Sequence, residues 1–222
     1  MYLKKPLNAI QYSFPQSNIL LIDNFLKKDF LEKIFKEIIT LENTSKYIRK
    51  FILKRKSLKK EFLNYSEFYS NQKKLIKVLS SKKFKDFLKS KFKIQGNLYP
   101  DKTNMYSGFN IVEKNGFLRP HADFNYNNNL KKYRTINLLL YFNKNWKKRY
   151  GGNLAFYNYS NMKKKYEFLA KENRTLIFLT NKFTPHGYRK ITVNKKRISL
   201  NFYYYTKENL SFSKEPHKTI WR

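Results

Sequence analysis

The stretch GFLRPHADFNYNNN, residues 116–129, places His121 and Asp123 on either side of a single alanine. The chain has only 3 histidines, and its 48 Lys and Arg residues far outnumber its 15 Asp and Glu residues. If the backbone around Ala122 is extended, side chains two residues apart point to the same side of the strand. One metal ion could then accept both groups. The stretch therefore predicts a strand that carries two metal ligands.

A third ligand is expected from another strand of the same β core. His186, in NKFTPHGYRK, directly follows a predicted strand, whereas His217 lies in SKEPHKTIWR, outside the predicted core. Two imidazoles and one carboxylate on one face of an octahedron suit non-haem Fe(II), because three positions stay open for a chelating cosubstrate and dioxygen. The sequence thus predicts His121, Asp123 and His186 as the metal ligands.

Such a cosubstrate also needs a cation on the protein. Arg197 opens the last strong strand pattern, and Ser199 follows on the same face of that strand. An arginine fork holds a carboxylate in a fixed orientation through two hydrogen bonds, which lysine does less well. We therefore expect Arg197 to bind the remote carboxylate of the cosubstrate, with Ser199 beside it.

Helix and strand patterns divide the chain near residue 100. Residues 18–22 predict a short strand before an amphipathic helix, and a second helical pattern runs from about Asn71 to Phe92. Aromatic and β-branched runs separated by Asn, Gly and Lys clusters then predict strands over 134–143, 152–158, 174–180 and 197–206. This order indicates an antiparallel β core of sandwich or barrel type with helices packed against one face.

Length and composition favour one soluble domain. With 222 residues and no internal repeat or Pro/Ser-rich linker, we expect a mainly helical N-terminal part (1–100), a β core (101–206) and a C-terminal tail (207–222). Cysteine is absent, which removes disulfides and thiolate metal sites. The sequence contains no run of about 18 apolar residues, which is the length needed to span a membrane. These features predict an intracellular, soluble enzyme that does not bind membranes.

The net charge of +33 has two interpretations. Nucleic acid or another anionic partner is one of them. The other is biased composition, because the basic residues are spread along the chain and abundant Lys, Asn, Ile, Phe and Tyr are what A/T-rich codons produce. The densest cluster, KYIRKFILKRKSLKK at 46–60, fits a solvated helix face as well as a phosphate-binding patch. Charge alone leaves a nucleic-acid partner open without favouring it.

The order HAD, INLLLYFNKNW, GGNL, NRTLIFLTNKFTPHG and KRISLNFYYYT, within residues 105–206, resembles the Fe(II)/2-oxoglutarate-dependent oxygenases of the prolyl 4-hydroxylase-like group. The resemblance implies an α+β fold, in which a double-stranded β-helix (jelly-roll) core has N-terminal helices packed against one sheet. It also implies Fe(II), 2-oxoglutarate and O2 as cofactors, with ascorbate as a candidate reductant.

Residue by residue, the resemblance gives each predicted ligand a role. His121, Asp123 and His186 match the iron ligands of the family. Arg197 matches the partner of the 2-oxoglutarate C5 carboxylate, with Ser199 as its helper.

The chain departs from the family pattern about ten residues before the first metal-binding histidine. Members of the group usually have a tyrosine there, at the position of Ile111 or Val112. Tyr106 or Asn110 is the expected substitute in contacting 2-oxoglutarate.

Substrate contacts are expected from the polar segment FNYNNNLKKYR that follows Asp123. Asn125, Tyr133 and Arg134 are the nominees, because a polar loop beside the metal could bind a hydroxylated or charged substrate. An exposed, solvated loop explains these residues equally well.

The implied activity is a dioxygenase that hydroxylates an unactivated C–H bond of a small molecule, sugar or peptide side chain while 2-oxoglutarate is converted to succinate and CO2. In related halogenases Gly or Ala replaces the acidic ligand, so Asp123 argues for oxygen transfer. Two alternatives stay open. One is an oxygenase that acts on nucleic acid or on a ribosomal or other nucleic-acid-associated protein, and the other is a non-catalytic jelly-roll binding module.

Overall fold

Strands dominate the architecture of this chain. The computed structural model describes residues 2–14, 17–46, 48–53, 57–101, 106–210 and 215–222, excluding the side chains of 48–53, 57 and 58. Its strands are β1 (Ala9–Phe14), β2 (Ser17–Ile22), β3 (Ile48–Leu53), β4 (Ser57–Phe62), β5 (Tyr99–Pro100), β6 (Gly108–Val112), β7 (Leu118–Ala122), β8 (Tyr126–Asn127), β9 (Lys132–Tyr141), β10 (Leu154–Tyr157), β11 (Lys164–Phe168), β12 (Thr175–Leu179), β13 (His186–Tyr188), β14 (Arg197–Thr206) and β15 (Ile220–Trp221). Its α-helices are α1 (Lys28–Thr44), α2 (Ser70–Leu79) and α3 (Lys82–Phe92).

Eight strands form a jelly-roll core. Strands β6, β14, β9 and β12 lie side by side in one sheet, whereas β7, β13, β10 and β11 lie side by side in the other. Strand β4 links the two sheets through its pairing with β6 and with the start of β7. Because successive core strands pass back and forth between the two sheets, the core is a double-stranded β-helix, and the predicted fold is confirmed.

Side-chain alternation on the central strands separates two apolar cores. On β9, Leu138 and Leu140 pack with the helices, whereas Leu139 and Tyr141 pack between the sheets. Burial of an aliphatic side chain contributes about 1.5–3 kcal/mol, and β9 gains this on both faces. That explains the uninterrupted apolar run at residues 138–141, at the end of β9. The helices therefore cover the outer face of one sheet, and the space between the sheets is left for a site.

The second predicted helix is two helices in the structure. The single pattern predicted for about 71–92 divides into α2 and α3 at Ser80 and Ser81. The side chain of Ser81 accepts a hydrogen bond from the backbone N–H of Phe84 (3.3 Å), so Ser81 is the N-cap of α3. Serine is favoured at the N-cap because its side chain accepts a hydrogen bond from a free backbone N–H group at the start of the helix. No α-helix in the described residues is both long and apolar enough to cross a membrane.

The N-terminal part is not mainly helical. Strands β1 and β2 form a hairpin that adds to β12, and β3 and β4 form a second hairpin that adds to β6. The basic cluster at 46–60 therefore lies largely in a β-hairpin, and its interpretation as a helix face is wrong. Pairing of β4 with β6 is a long-range contact that the local pattern of lysines does not reveal.

Residues 215–222 were predicted as part of a tail outside the core, and this is also wrong. Ile220 pairs with Ala122 and Trp221 with His121, so β15 pairs with the end of β7. The backbone N–H of Arg222 donates to the Pro120 carbonyl oxygen (2.9 Å). The segment thus returns to the strand that carries the predicted metal ligands.

Candidate active site

Two neighbouring strands bring the predicted metal ligands together. His121 lies near the end of β7, with Asp123 immediately after that strand, and His186 begins β13. In the antiparallel register of these strands His121 and His186 are direct partners. One ligand atom from each of the three side chains lies within 4.8 Å of the others.

Both imidazoles present Nε2 to the carboxylate of Asp123. His121 Nε2 lies 3.4 Å from Oδ1, and His186 Nε2 lies 3.6 Å from Oδ2. On the opposite side of each ring, Nδ1 lies 2.9 Å from the Arg119 carbonyl oxygen in His121 and 3.0 Å from that of Thr184 in His186. A carbonyl oxygen only accepts, so Nδ1 carries a proton, and in the neutral form of each imidazole the Nε2 lone pair points to the acid. Electron pairs that converge in this way fit a cation between them.

Asp123 is held as an anion in a fixed orientation. Its Oδ2 accepts from Arg134 Nη2 (3.1 Å) and from Asn137 Nδ2 (2.9 Å). Burial alone would raise the pKa of this carboxyl, but the charge of Arg134 and the two imidazoles keep the pKa well below its usual range. The carboxylate is therefore ionised at neutral pH and has one oxygen fixed by hydrogen bonds.

His186 is neutral at pH 7. Its ring is buried against Phe178 and Phe156, with centroid distances of 4.9 and 5.7 Å. Burial lowers the pKa of His186 to about 4, although Asp123 acts in the opposite direction. A neutral imidazole is the form that binds a metal. The three residues thus have the charge and the atoms that a divalent metal requires.

Arg197 lies at the other end of the site and is 2% exposed. Its Nε donates to the Gly152 carbonyl oxygen (2.6 Å), Nη1 to Ser199 Oγ (3.5 Å), and Nη2 to the Tyr141 hydroxyl (3.4 Å). The rings of Tyr188 and Tyr141 flank the guanidinium, at 4.3 and 5.0 Å from its central carbon. Among the described residues, no carboxylate lies within ion-pairing distance of Arg197. The cation is therefore buried without an anion.

One cavity connects these two ends. It has a volume of about 280 Å³, and its walls include all three candidate ligands as well as Arg197 and Ser199. Asn110 and Asn137 also line it, and in the described structure the buried Oδ1 atom of each has no hydrogen-bond partner. Buried polar atoms are nearly always satisfied, so the cavity suits a ligand with polar groups.

The remaining predicted residues divide into two groups. Tyr106 and Arg134 line the cavity, as Asn110 does. The structure does not bring Asn125 and Tyr133 into it. Both amide atoms of Asn125 bind backbone groups of residues 215 and 217, and the Tyr133 ring packs on Tyr126 (4.8 Å). Neither side chain lines this cavity in the described structure, and substrate contact by these two residues stays a prediction.

Sequence reasoning missed part of the Arg197 environment. Gly151 and Gly152 have φ angles of +76° and +69°, which fit a turn between two strands. However, a Cβ atom on Gly152 would lie 2.8 Å from Cδ of Arg197. Glycine is therefore also needed at position 152 to leave space for the side chain of Arg197. Tyr141 could have been found from the alternation of β9, because it shares a face with Asn137.

Comparison with solved structures supports the fold assignment. A prolyl-4-hydroxylase from Pseudomonas putida has a TM-score of 0.66 and 13% identity, covering 86% of this chain and 93% of that one. A prolyl hydroxylase from Trichoplax adhaerens, in complex with a hypoxia inducible factor peptide fragment, has a TM-score of 0.65 and 18% identity, covering 85% and 84%. The viral collagen prolyl hydroxylase of Paramecium Bursaria Chlorella virus-1, in a 2-oxoglutarate complex, has a TM-score of 0.58 and 16% identity, covering 85% and 96%. These TM-scores, over most of each chain, show a shared fold.

Sequence comparison supplies the family. No curated protein sequence matches the chain. Residues 106–205 match the family model of the 2OG-Fe(II) oxygenase superfamily, whose members use Fe(II), 2-oxoglutarate and O2. The match spans the strands that carry the converging ligands and Arg197. Residues 106–205 of the chain therefore match the 2OG-Fe(II) oxygenase superfamily, and these residues include the converging candidate ligands.

Proposed function

We propose that this oxygenase binds Fe(II) through His121, Asp123 and His186, and 2-oxoglutarate through Arg197 and Ser199. The proposed reaction is hydroxylation of a C–H bond in a peptide side chain or a small molecule. The chemistry that the bound iron and 2-oxoglutarate supply is oxidation by O2, with conversion of 2-oxoglutarate to succinate and CO2.

The observation that carries this proposal is the buried guanidinium of Arg197, which has no carboxylate partner among the described residues and lies in the same cavity as the three candidate ligands. Burying a charge without a partner is costly unless a ligand supplies the opposite charge. A dicarboxylate meets this requirement, because one end can reach the metal while the other neutralises Arg197. Ser199 and the Tyr141 hydroxyl hydrogen-bond to the guanidinium of Arg197 and so restrict the orientation of that guanidinium.

The protein's own contribution is orientation before the reaction. Arg134 and Asn137 hold one oxygen of Asp123. Backbone carbonyl oxygens hold the Nδ1 protons of the two histidines. Partners that fix a ligand in this way strengthen metal binding, because the ligands lose little freedom when the metal binds.

The size of the cavity supports a substrate that inserts a side chain or is itself small. At about 280 Å³ it is at the lower end for a ligand site, and it must also hold 2-oxoglutarate. Lys59, Glu61 and Tyr106 line the same cavity, which gives it polar groups for substrate binding. The relative from Trichoplax adhaerens was solved with a peptide fragment, which supports including peptides in the proposed class.

We also infer that residues 1–222 act as a single domain. The hairpin β1–β2 extends one sheet at β12, and β4 contacts both sheets. The apolar core on the outer face combines residues of α1, α2 and α3 with residues of β9 and β14. Separation of the N-terminal part would expose that core to water.

The test measures succinate formed from 2-oxoglutarate with Fe(II) and O2, together with anaerobic 2-oxoglutarate binding by calorimetry. We expect His121→Ala to abolish turnover. Arg197→Met should weaken 2-oxoglutarate binding about 100-fold, the loss expected for a charge-assisted pair. Arg189→Met is the matched control, because the Arg189 side chain is 72% exposed. Equal turnover in wild type and His121→Ala, or equal 2-oxoglutarate affinity in wild type and Arg197→Met, would refute the corresponding assignment.

A further inference from the structure

Asn125 anchors the segment 215–222 next to the metal site. Its Nδ2 donates to the Glu215 carbonyl oxygen (3.0 Å), and its Oδ1 accepts from the backbone N–H of His217 (2.6 Å). Its own backbone N–H donates to the His217 carbonyl oxygen (3.2 Å). Asn125 is buried and lies two residues after Asp123. Three hydrogen bonds therefore attach the segment to the loop that carries a candidate metal ligand.

The other end of the segment is attached to β7. Ile220 and Trp221 pair with Ala122 and His121. Beyond this pairing, the guanidinium of Arg222 lies over the Tyr159 ring, with its central carbon 4.5 Å from the ring centroid. The segment is thus fixed on both sides of Trp221.

Trp221 is thereby placed against a candidate ligand. Its ring centroid lies 4.8 Å from that of His121 with an interplanar angle of 32°, and the His186 ring lies 4.7 Å from His121. Strand alternation puts Thr219 and Trp221 on the cavity, whereas the intervening Ile220 does not line it. The His121 imidazole therefore has the indole as well as the second imidazole as ring neighbours.

We propose that Trp221 is a positioning residue for His121, and that the segment 215–222 is the element that delivers it. This inference rests on the proposed role of His121 as a metal ligand. The hydrogen bond from Nδ1 to Arg119 fixes one atom of the imidazole, and contact with a large flat ring restricts rotation of the ring plane. Together they direct Nε2 toward Asp123. The same indole packs against the His121 ring where both residues line the cavity.

The experiment uses Co²⁺ as the probe and follows its transfer from the protein to excess EDTA by stopped-flow absorbance. We expect Trp221→Ala to lose Co²⁺ about tenfold faster than wild type, which corresponds to about 1.4 kcal/mol. Trp221→Phe keeps an aromatic ring and should stay within about twofold of wild type. Ile220→Ala is the matched control on the same strand, and we expect it to lose Co²⁺ at the wild-type rate.

Thermal unfolding of each Co²⁺-free variant separates a local effect from general destabilisation. Faster Co²⁺ loss in Trp221→Ala with an unchanged midpoint, restored by Trp221→Phe, supports positioning. A wild-type release rate in Trp221→Ala overturns it, as does equal acceleration in Ile220→Ala. Co²⁺ binding that survives in His121→Ala instead refutes the metal assignment of His121, which would identify failure of the proposed function itself.

Discussion

Arg134 Nη2 donates to Asp123 Oδ2 over 3.1 Å, and the guanidinium carbon of Arg134 lies 3.5 Å from the centroid of the Tyr203 ring. Burial would lower the pKa of Arg134, but the Asp123 carboxylate raises it. This buried cation therefore serves an internal purpose, since it fixes the acidic ligand between the two histidines. Arg134, which the sequence nominated for substrate binding, therefore binds a candidate metal ligand in the described structure.

Replacement of Arg134 tests this relationship. We expect Arg134→Met to weaken Co²⁺ binding about 10- to 100-fold, the usual effect of removing a group that orients a metal ligand. Isothermal calorimetry with Co²⁺ measures the change. Arg189→Met serves as the surface control. Unchanged Co²⁺ affinity in Arg134→Met would show that the ligand geometry does not depend on this hydrogen bond.

A methyl group at Gly152 should disturb the 2-oxoglutarate end without disturbing the metal end. In Gly152→Ala the new Cβ would lie 2.8 Å from Arg197 Cδ on a backbone with φ of +69°. We expect the KM for 2-oxoglutarate to rise about tenfold, because displacement of Arg197 weakens its hydrogen bonds to the carboxylate of 2-oxoglutarate. Gly96→Ala is the control, since its nearest contact would be Glu208 Oε2 at 3.8 Å. Loss of Co²⁺ binding in Gly152→Ala would contradict the separation of the two ends.

The packing behind His186 should dominate the stability of this region. Phe178 is 0% exposed and contacts both Phe156 and His186, at centroid distances of 4.9 Å. We expect Phe178→Ala to lower the free energy of unfolding by about 3–5 kcal/mol, as phenylalanine truncations in cores do. Denaturation with urea measures this. Phe35→Ala, on a residue that is 37% exposed, should cost far less, and similar losses in both variants would contradict the assigned core.

The ion pair between Asp23 and Arg174 should make stability depend on acid pH. Arg174 Nε and Nη2 donate to the two carboxylate oxygens over 2.7 and 2.9 Å. Burial would raise the pKa of Asp23, but Arg174 and Lys171 lower it overall. A lowered folded-state pKa stabilises above the unfolded value of about 4, and that stability is lost as the pH falls through the folded-state pKa.

The corresponding variant is Asp23→Asn, which should lower the free energy of unfolding at pH 7 by about 1 kcal/mol, since this pair is partly exposed and screened. The difference from wild type should shrink as the pH falls below about 4. Asp86→Asn is the control, because that acid pairs with Lys82 on an exposed face of α3. A difference between Asp23→Asn and wild type that is independent of pH would reject the linkage.

Local sequence patterns predicted the centre of the fold well. The β14 boundaries were predicted at residues 197–206 and are observed there, because an apolar face and an alternating polar face identify a strand without reference to its neighbours. The clustering of His121, Asp123 and His186 followed from strand periodicity together with the family resemblance.

Features that depend on distant pairing were not predicted. The two residues of β15 are too few to show a period, and only their contact with β7 makes them a strand. The β3–β4 hairpin was hidden because its lysines fit a helix face equally well. The engagement of Asn125 by residues 215 and 217 likewise depends on a contact across the fold that no local pattern encodes.

The direct pairing of His121 with His186 across β7 and β13 also links cofactor loading to folding. A slip of one residue between these strands would turn one imidazole to the opposite face, since neighbouring side chains on a strand alternate. A divalent ion that needs both rings would therefore select one alignment of the smaller sheet over its competitors. Folding of that sheet and capture of the ion then become coupled equilibria, and the ion should protect the β7–β13 amides from hydrogen exchange.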